Sequence, residues 1–250
     1  MLKKLLVLPL VILSSQALAE TTRTLTSGID YSSGKYGGST STDIIYIPVT
    51  GKIQNEYGYL KLTVPYISMS SEGNVVRGMG PIKTVTSTKI ITQSGLGDIV
   101  ATAAYTFFES DALLFDLVGN IKFGTADAAK NLGTGKNDYS TQIDGFYTID
   151  KTTAFATAGY KVVGAPTGVI TNNIVYGTLG FSQKHSDVVN FGAMLDVAQS
   201  STPLAPDSRE LTVFASKKLS NTLKAQVSLL KGFSDSSPDF GGAFMLTGKI

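Results

Sequence analysis

The 250-residue chain contains no cysteine, no tryptophan and a single histidine, and only 16% of its residues are charged. Without cysteine there is no disulfide framework, no thiolate nucleophile and no sulfur metal site. His185 alone cannot build a multi-histidine metal centre. The charge also lacks a dominant sign. Lys3 and Lys4 are two of the 21 basic residues, and without them 19 basic side chains stand against 19 acidic ones. That balance excludes a basic nucleic-acid-binding domain. Long apolar runs are missing too: after residue 19 none approaches the roughly 20 residues a membrane-spanning helix needs.

What is present begins with residues 1–19. Lys3-Lys4, the apolar run Leu5–Leu13 and the small-x-small ending Ala17-Leu18-Ala19 read as a cleaved secretory signal. Residues 20–250 are then one exported domain. Glycine is abundant, at 26 residues, and hydrophobicity alternates with period two. Over 113–123 the odd positions are Leu113, Phe115, Leu117, Gly119, Ile121 and Phe123, with Asp116, Asn120 and Lys122 among the even ones. A soluble sandwich alternates as well, so the decision rests on the number and punctuation of the segments.

Twelve segments of about ten residues are predicted, at 22–33, 41–50, 57–69, 95–108, 112–123, 139–148, 153–163, 174–183, 188–198, 209–219, 222–232 and 240–250. About ten residues cross a bilayer at a tilt of roughly 45°. Short connections such as Glu109–Asp111 and Ser220-Asn221 alternate with long ones such as Ser70–Ser94 and Gly124–Asp138. The pattern predicts an all-β, transmembrane, antiparallel up-and-down barrel of about twelve strands, with short periplasmic turns and long outer loops.

The two faces differ. One carries Leu25, Ile29, Leu60, Leu62, Leu179, Val213 and Leu229, and its charges (Arg23, Asp43, Arg209, Lys217, Lys231) sit near strand ends. The other carries the candidate lumen-lining residues Lys61, Asp98, Asp116, Lys122, Asp144, Lys161, Asp196, Glu210, Lys218 and Lys224, five of each sign. Such a lumen is expected to discriminate weakly between cations and anions. The 70–94 loop is too apolar for a solvated excursion. Val75, Val76, Met79, Ile82, Val85, Ile90 and Ile91 are candidates for a constriction at the mouth, and Thr84–Gln93 also fits a hairpin extending the strands.

No motif calls for a catalytic residue, cofactor or metal. Gly133-Thr134-Gly135-Lys136 lacks the Gly at 130 and the Ser or Thr at 137 of a phosphate-binding loop. His185 falls in a short turn, the wrong end for a lipid-modifying enzyme of the outer leaflet. Phe244, Leu246, Gly248 and Ile250 alternate to the last residue, an ending that resembles the signal read by the outer-membrane barrel assembly machinery.

An ordered set of strings completes the reading. Val64-Pro65-Tyr66, Gly95-Leu96-Gly97-Asp98, Lys122-Phe123-Gly124-Thr125, Gly133–Ser140 and Gly232–Gly241 are spread over most of 45–250. Together they resemble the outer-membrane transporters named for the meta-pathway of phenol degradation. The resemblance implies a channel in the outer membrane of a Gram-negative cell that takes up small, often aromatic solutes. It carries over no catalytic residue. The expected partners are outer-membrane lipids and lipopolysaccharide, the assembly machinery and a small-molecule solute. An adhesive or structural barrel acting through its loops is the alternative, and a lipid-modifying enzyme is the weaker one.

Overall fold

The computed structural model describes residues 21–73, 75, 76, 80, 81 and 89–250. The expected signal segment and the constriction candidates Met79, Ile82 and Val85 lie outside the described residues. The chain forms β1 (Thr22–Gly34), β2 (Thr42–Asn55) and β3 (Gly58–Ser71), then a two-stranded ribbon of β4 (Val75–Val76) and β5 (Gly80–Pro81). β6 (Ile91–Leu96) and β7 (Ile99–Glu109) follow, then β8 (Leu113–Phe123), β9 (Asp138–Ile149) and β10 (Thr152–Val162). The last five are β11 (Ile174–Lys184), β12 (Val189–Ala198), β13 (Ser208–Lys218), β14 (Leu223–Gly232) and β15 (Phe240–Lys249).

Every wall strand pairs antiparallel with its neighbour in sequence, and β15 pairs back onto β1 from Thr24↔Lys249 to Ser33↔Phe240. β6 and β7 are two halves of one strand, both paired to β3, so the closed wall has twelve strands. Closure leaves no edge, the condition for placing a sheet in lipid. The expected segments all appear, with one notable extension. β2 continues to Asn55, and the turn is confined to residues 56–57, where Asn55 Oδ1 accepts the Tyr57 N–H at 3.0 Å.

The break between β6 and β7 has a local cause. Pro65 on β3 has no N–H to offer, and register slips by one residue from Tyr66↔Leu96 to Thr63↔Val100. Gly97 lies in this bulge and donates its N–H to Pro65 O at 2.8 Å. A Cβ there would lie 2.6 Å from Ile67 Cδ1 and 2.9 Å from Pro65 Cγ, so a larger residue would have to displace those side chains. The strings around Pro65 and Gly97 are therefore two sides of one structural joint.

Parity divides the side chains. Leu25, Ile29, Leu62, Leu117, Leu179, Val213 and Leu229 are 45–67% exposed on the outer surface, whereas inward Val118, Met69 and Ile44 are at most 2% exposed. Exposed aromatics sit near both rims. At the long-loop rim the Tyr31 hydroxyl donates to Asp43 at 2.9 Å, and Asn173 Nδ2 donates to the Tyr160 hydroxyl at 2.9 Å. This is the amphipathic placement an interfacial aromatic belt requires.

The faces give a direct test. Leu117→Arg puts a charge on the apolar outer surface at mid-strand and is expected to cost roughly 2–4 kcal/mol in a bilayer. Gln226→Arg projects inward among Ser216 and Met245 and is expected to fold. Loss of the heat-modifiable folded band on SDS gels for Leu117→Arg alone confirms the assignment; equal behaviour of the two variants contradicts it.

Candidate functional site in the barrel interior

At the long-loop end the barrel is filled by its own connections. Ala126 and Leu132, from the loop between β8 and β9, pack onto inward Ile44, Ile67 and Met69 of β2 and β3. Elsewhere on the inner wall, Val76 of the ribbon packs on Val163 and Ile174. Val75 and Val76 are 1% and 2% exposed, within the barrel mouth. Ile90 and Ile91 behave differently. They are about half exposed at the rim, because Ile91 continues the β3 ladder opposite Ser71 instead of folding inward. They are not part of either buried cluster.

An ionic latch holds the β8–β9 loop. Lys122 Nζ lies 3.0 Å from Asp98 Oδ2 and 3.2 Å from Asp138 Oδ2, and donates to Thr134 Oγ1 at 3.4 Å. The other oxygens of both carboxylates take backbone donors: Asp98 Oδ1 accepts from Ala126 N–H and Asp138 Oδ1 from Gly164 N–H, each at 2.9 Å. One cation thus neutralises two carboxylates that each also cap a loop. Gly133 passes so close that a Cβ would meet Ala126 Cβ at 2.7 Å and Asp98 Oδ2 at 2.8 Å. The phosphate-loop-like string at 133–136 is the inward wrap of this loop. Asp98 and Lys122, two of the lumen candidates, are therefore bound to each other.

Four other inward carboxylates, Asp116, Asp144, Asp196 and Glu210, lie on a continuous belt. Cross-strand partners run from Thr106 through Asp116, Asp144 and Thr157 to Thr178, Asp196 and Glu210. Asp116 faces Asp144 directly, and Asp196 faces Glu210, like-charge pairings that cost stability unless solvated or hydrogen-bonded. Threonine hydroxyls supply the bonds: Thr106 to Asp116 and Thr157 to Asp144 at 2.7 Å, and Thr178 to Asp196 at 2.6 Å.

Lys61 stands opposite Lys52 of β2, and Lys218 opposite Lys224 at the exposed short-turn end. Lys161 lies between two cavities of about 290 and 320 Å³, which share Ile174, Ala198, Ser208 and Glu210 as lining. Val75 and Val76 line the first, as a narrowing element at the mouth would. Among the described residues no group of three or more His, Cys, Asp or Glu side chains could hold a metal ion.

Two inward charges escaped sequence reasoning. The sequence places Lys52 in a turn, because Gly51 reads as punctuation. Yet it continues the even-numbered inward series Ile44, Tyr46, Pro48 and Thr50. Asp138 was assigned to the loop, although it begins β9.

No family model matches the chain, and no curated protein does. Solved structures do. The chain is similar to the COG4313 outer membrane channel from Pseudomonas putida F1, with TM-score 0.68 and 12% identity, covering 97% of this chain and 100% of that one. It is similar to the KdgM porin, with TM-score 0.56 and 9% identity over 91% of this chain and 99% of that one. For the NanC porin the TM-score is 0.56 and the identity 8%, over 90% and 99%. The shared property is the fold, a β-barrel of the outer-membrane channel type.

The latch makes a measurable difference between two lysines of one region. Lys122→Ala leaves Asp98 and Asp138 without their cation and is expected to destabilise by roughly 3 kcal/mol. It should also open the loop to limited proteolysis after Lys130 or Lys136. Lys130→Ala breaks only the half-exposed pair with Asp127 at 3.8 Å, and a shift within about 0.5 kcal/mol is expected. Thermal melts in detergent compare the two.

Proposed function

We propose that the chain is an outer-membrane channel for passive uptake of small neutral or amphipathic solutes. The carrying observation is a closed twelve-strand wall whose outer surface is apolar while its inner surface bears charges of both signs around ligand-sized cavities. The fold shared with outer-membrane channels and porins supports the reading. So does the ordered set of strings resembling the phenol meta-pathway transporters, a family associated with small aromatic solutes. On this reading the apolar band contacts outer-membrane lipid and lipopolysaccharide, the last strand is the segment offered to the assembly machinery, and residues 1–19 direct export.

The protein acts without catalysis. His185 is exposed in the turn after β11, beside Phe191, at the end opposite the long loops. A role through the loops alone is disfavoured, because two of the long connections place their apolar side chains inside the barrel.

Counting the latch, Lys52, Lys61, Lys122, Lys161, Lys218, Lys224 and Lys249 stand against Asp30, Asp98, Asp116, Asp138, Asp144, Asp196 and Glu210 on the inner wall. Rings of one sign make a pore strongly selective, and this wall has an excess of neither. In planar bilayers the protein is expected to conduct, with a reversal potential close to zero in a KCl gradient. Deleting residues 75–88 should raise the conductance by removing the ribbon from the mouth. Absence of current contradicts the channel reading; a strongly ion-selective current contradicts the balanced lumen; unchanged conductance after the deletion contradicts the narrowing role of Val75 and Val76.

A further inference from the structure

Balanced numbers conceal an ordered layout. Cross-strand register joins Lys249 through Thr24 to Lys52, and Lys52 to Lys61. The same row continues from Lys61 through Thr102, Asn120 and Ser140 to Lys161. Every charge in it is positive. It climbs from the short-turn rim, where Lys249 ends β15, to the cavities at Lys161 near the long loops. Its uncharged members are linked: Thr102 Oγ1 donates to Asn120 Oδ1 at 2.8 Å, and Asn120 Nδ2 to Ser140 Oγ at 3.2 Å.

The carboxylate belt runs parallel to this row at a constant offset. On β8 the offset separates Asn120 from Asp116, on β9 Ser140 from Asp144, and on β10 Lys161 from Thr157. Four residues along a strand are roughly 13 Å between backbones, and the lysine arms reduce that distance between the charges. Lys61 and Asp144, like Lys52 and Asp116, are inward-facing residues of the same wall. Among the described residues neither pair closes to an ion pair. The strip between the two rows holds no charge. It consists of Val118, Gln142, Gly159 and Tyr176, with the Tyr176 ring lying where a Gly159 Cβ would be and its hydroxyl donating to Gln142 at 2.7 Å.

We infer that this channel selects zwitterionic solutes whose ammonium and carboxylate ends are separated by an apolar spacer. The carboxylate end follows the lysine row, the ammonium end follows the carboxylate belt, and the spacer lies on the Tyr176 ring, which covers Gly159. The two rows run side by side on β8, β9 and β10, so a solute bridges Lys161 and the Asp116–Asp144 pair there. An ion of either sign meets one attractive row and one repulsive row, consistent with the weak ion selectivity expected above. The inference rests on the channel reading and names its solute class.

The test uses the whole mature protein in planar bilayers carrying KCl current. Three probes share one carbon skeleton: 6-aminohexanoate, its N-acetyl derivative (an anion) and 6-aminohexanamide (a cation). The zwitterion is expected to interrupt the current at about tenfold lower concentration than either singly charged probe. Asp144→Asn, which keeps the oxygen accepting from Thr157, should remove that advantage while sparing interruption by the anion. Lys161→Gln should remove it while sparing interruption by the cation. Each variant is first checked for the heat-modifiable folded band. Equal action of the three probes, or a zwitterion preference that survives both substitutions, overturns the inference and leaves the channel standing. A protein that carries no KCl current overturns the channel reading and the inference with it.

Discussion

Everything in this molecule depends on closing the backbone ladder from β15 onto β1. An isolated sheet of this composition would present unpaired N–H and C=O groups along two edges, which hydrocarbon cannot satisfy. Closure removes the edges and imposes strict parity: each wall side chain belongs to the outer or the inner surface. The deviations are then local and explicable. Pro65 interrupts the ladder, and the bulge at Gly97 absorbs the interruption. A second irregularity between Thr106 and Phe108 leaves both Phe107 and Phe108 exposed near the short-turn rim.

Closure with tilt also turns rows of cross-strand partners into climbing tracks. A side chain's nearest inward neighbour lies on the next strand, so chemistry repeated at matching register becomes continuous along the wall. The lysine row and the carboxylate belt arise this way, the row joining residues as far apart in sequence as Thr24 and Lys249 and the belt running from Thr106 to Glu210. Like charges placed directly opposite, as at Lys52–Lys61 and Asp116–Asp144, would be costly in a dry core. A polar lumen lined with hydroxyls, as at Thr157 and Thr178, tolerates them.

Much of the architecture was legible before any coordinates. Alternation, the length of the segments and the rhythm of short and long connections led to twelve strands with the correct faces, because parity is a local property. Register is not local. Nothing in the residues around Lys52 or Lys161 reveals that they share one row, since that depends on how the four intervening wall strands align. The latch was illegible for the same reason. Asp98, Lys122 and Asp138 lie on three strands, and sequence parity placed the first two in an open lumen without showing that they meet. Gly51 misled by composition: glycine usually marks a turn, but here it is an outer-facing strand residue with open space around its Cα. Within the apolar 70–94 segment, Val75 and Val76 are buried. Ile90 and Ile91 are exposed, and Ile91 continues the pairing with β3 at the rim, as a strand extension would.

The interior therefore contains two kinds of charge with opposite physical roles. Lys122, Asp98 and Asp138 are paired and capped by backbone donors, and they fix a loop. Lys52, Lys61, Lys161, Asp116, Asp144 and Asp196 form no ion pair among the described residues and stay apart across the lumen. An unpaired charge is tolerable only where water or a solute can solvate it. Charges that stabilise the barrel are those removed from solvent by contact with one another. Charges that remain for a solute are those the register keeps separated. A count of lysines and aspartates treats the two groups alike; only their pairing distinguishes a structural clasp from a track.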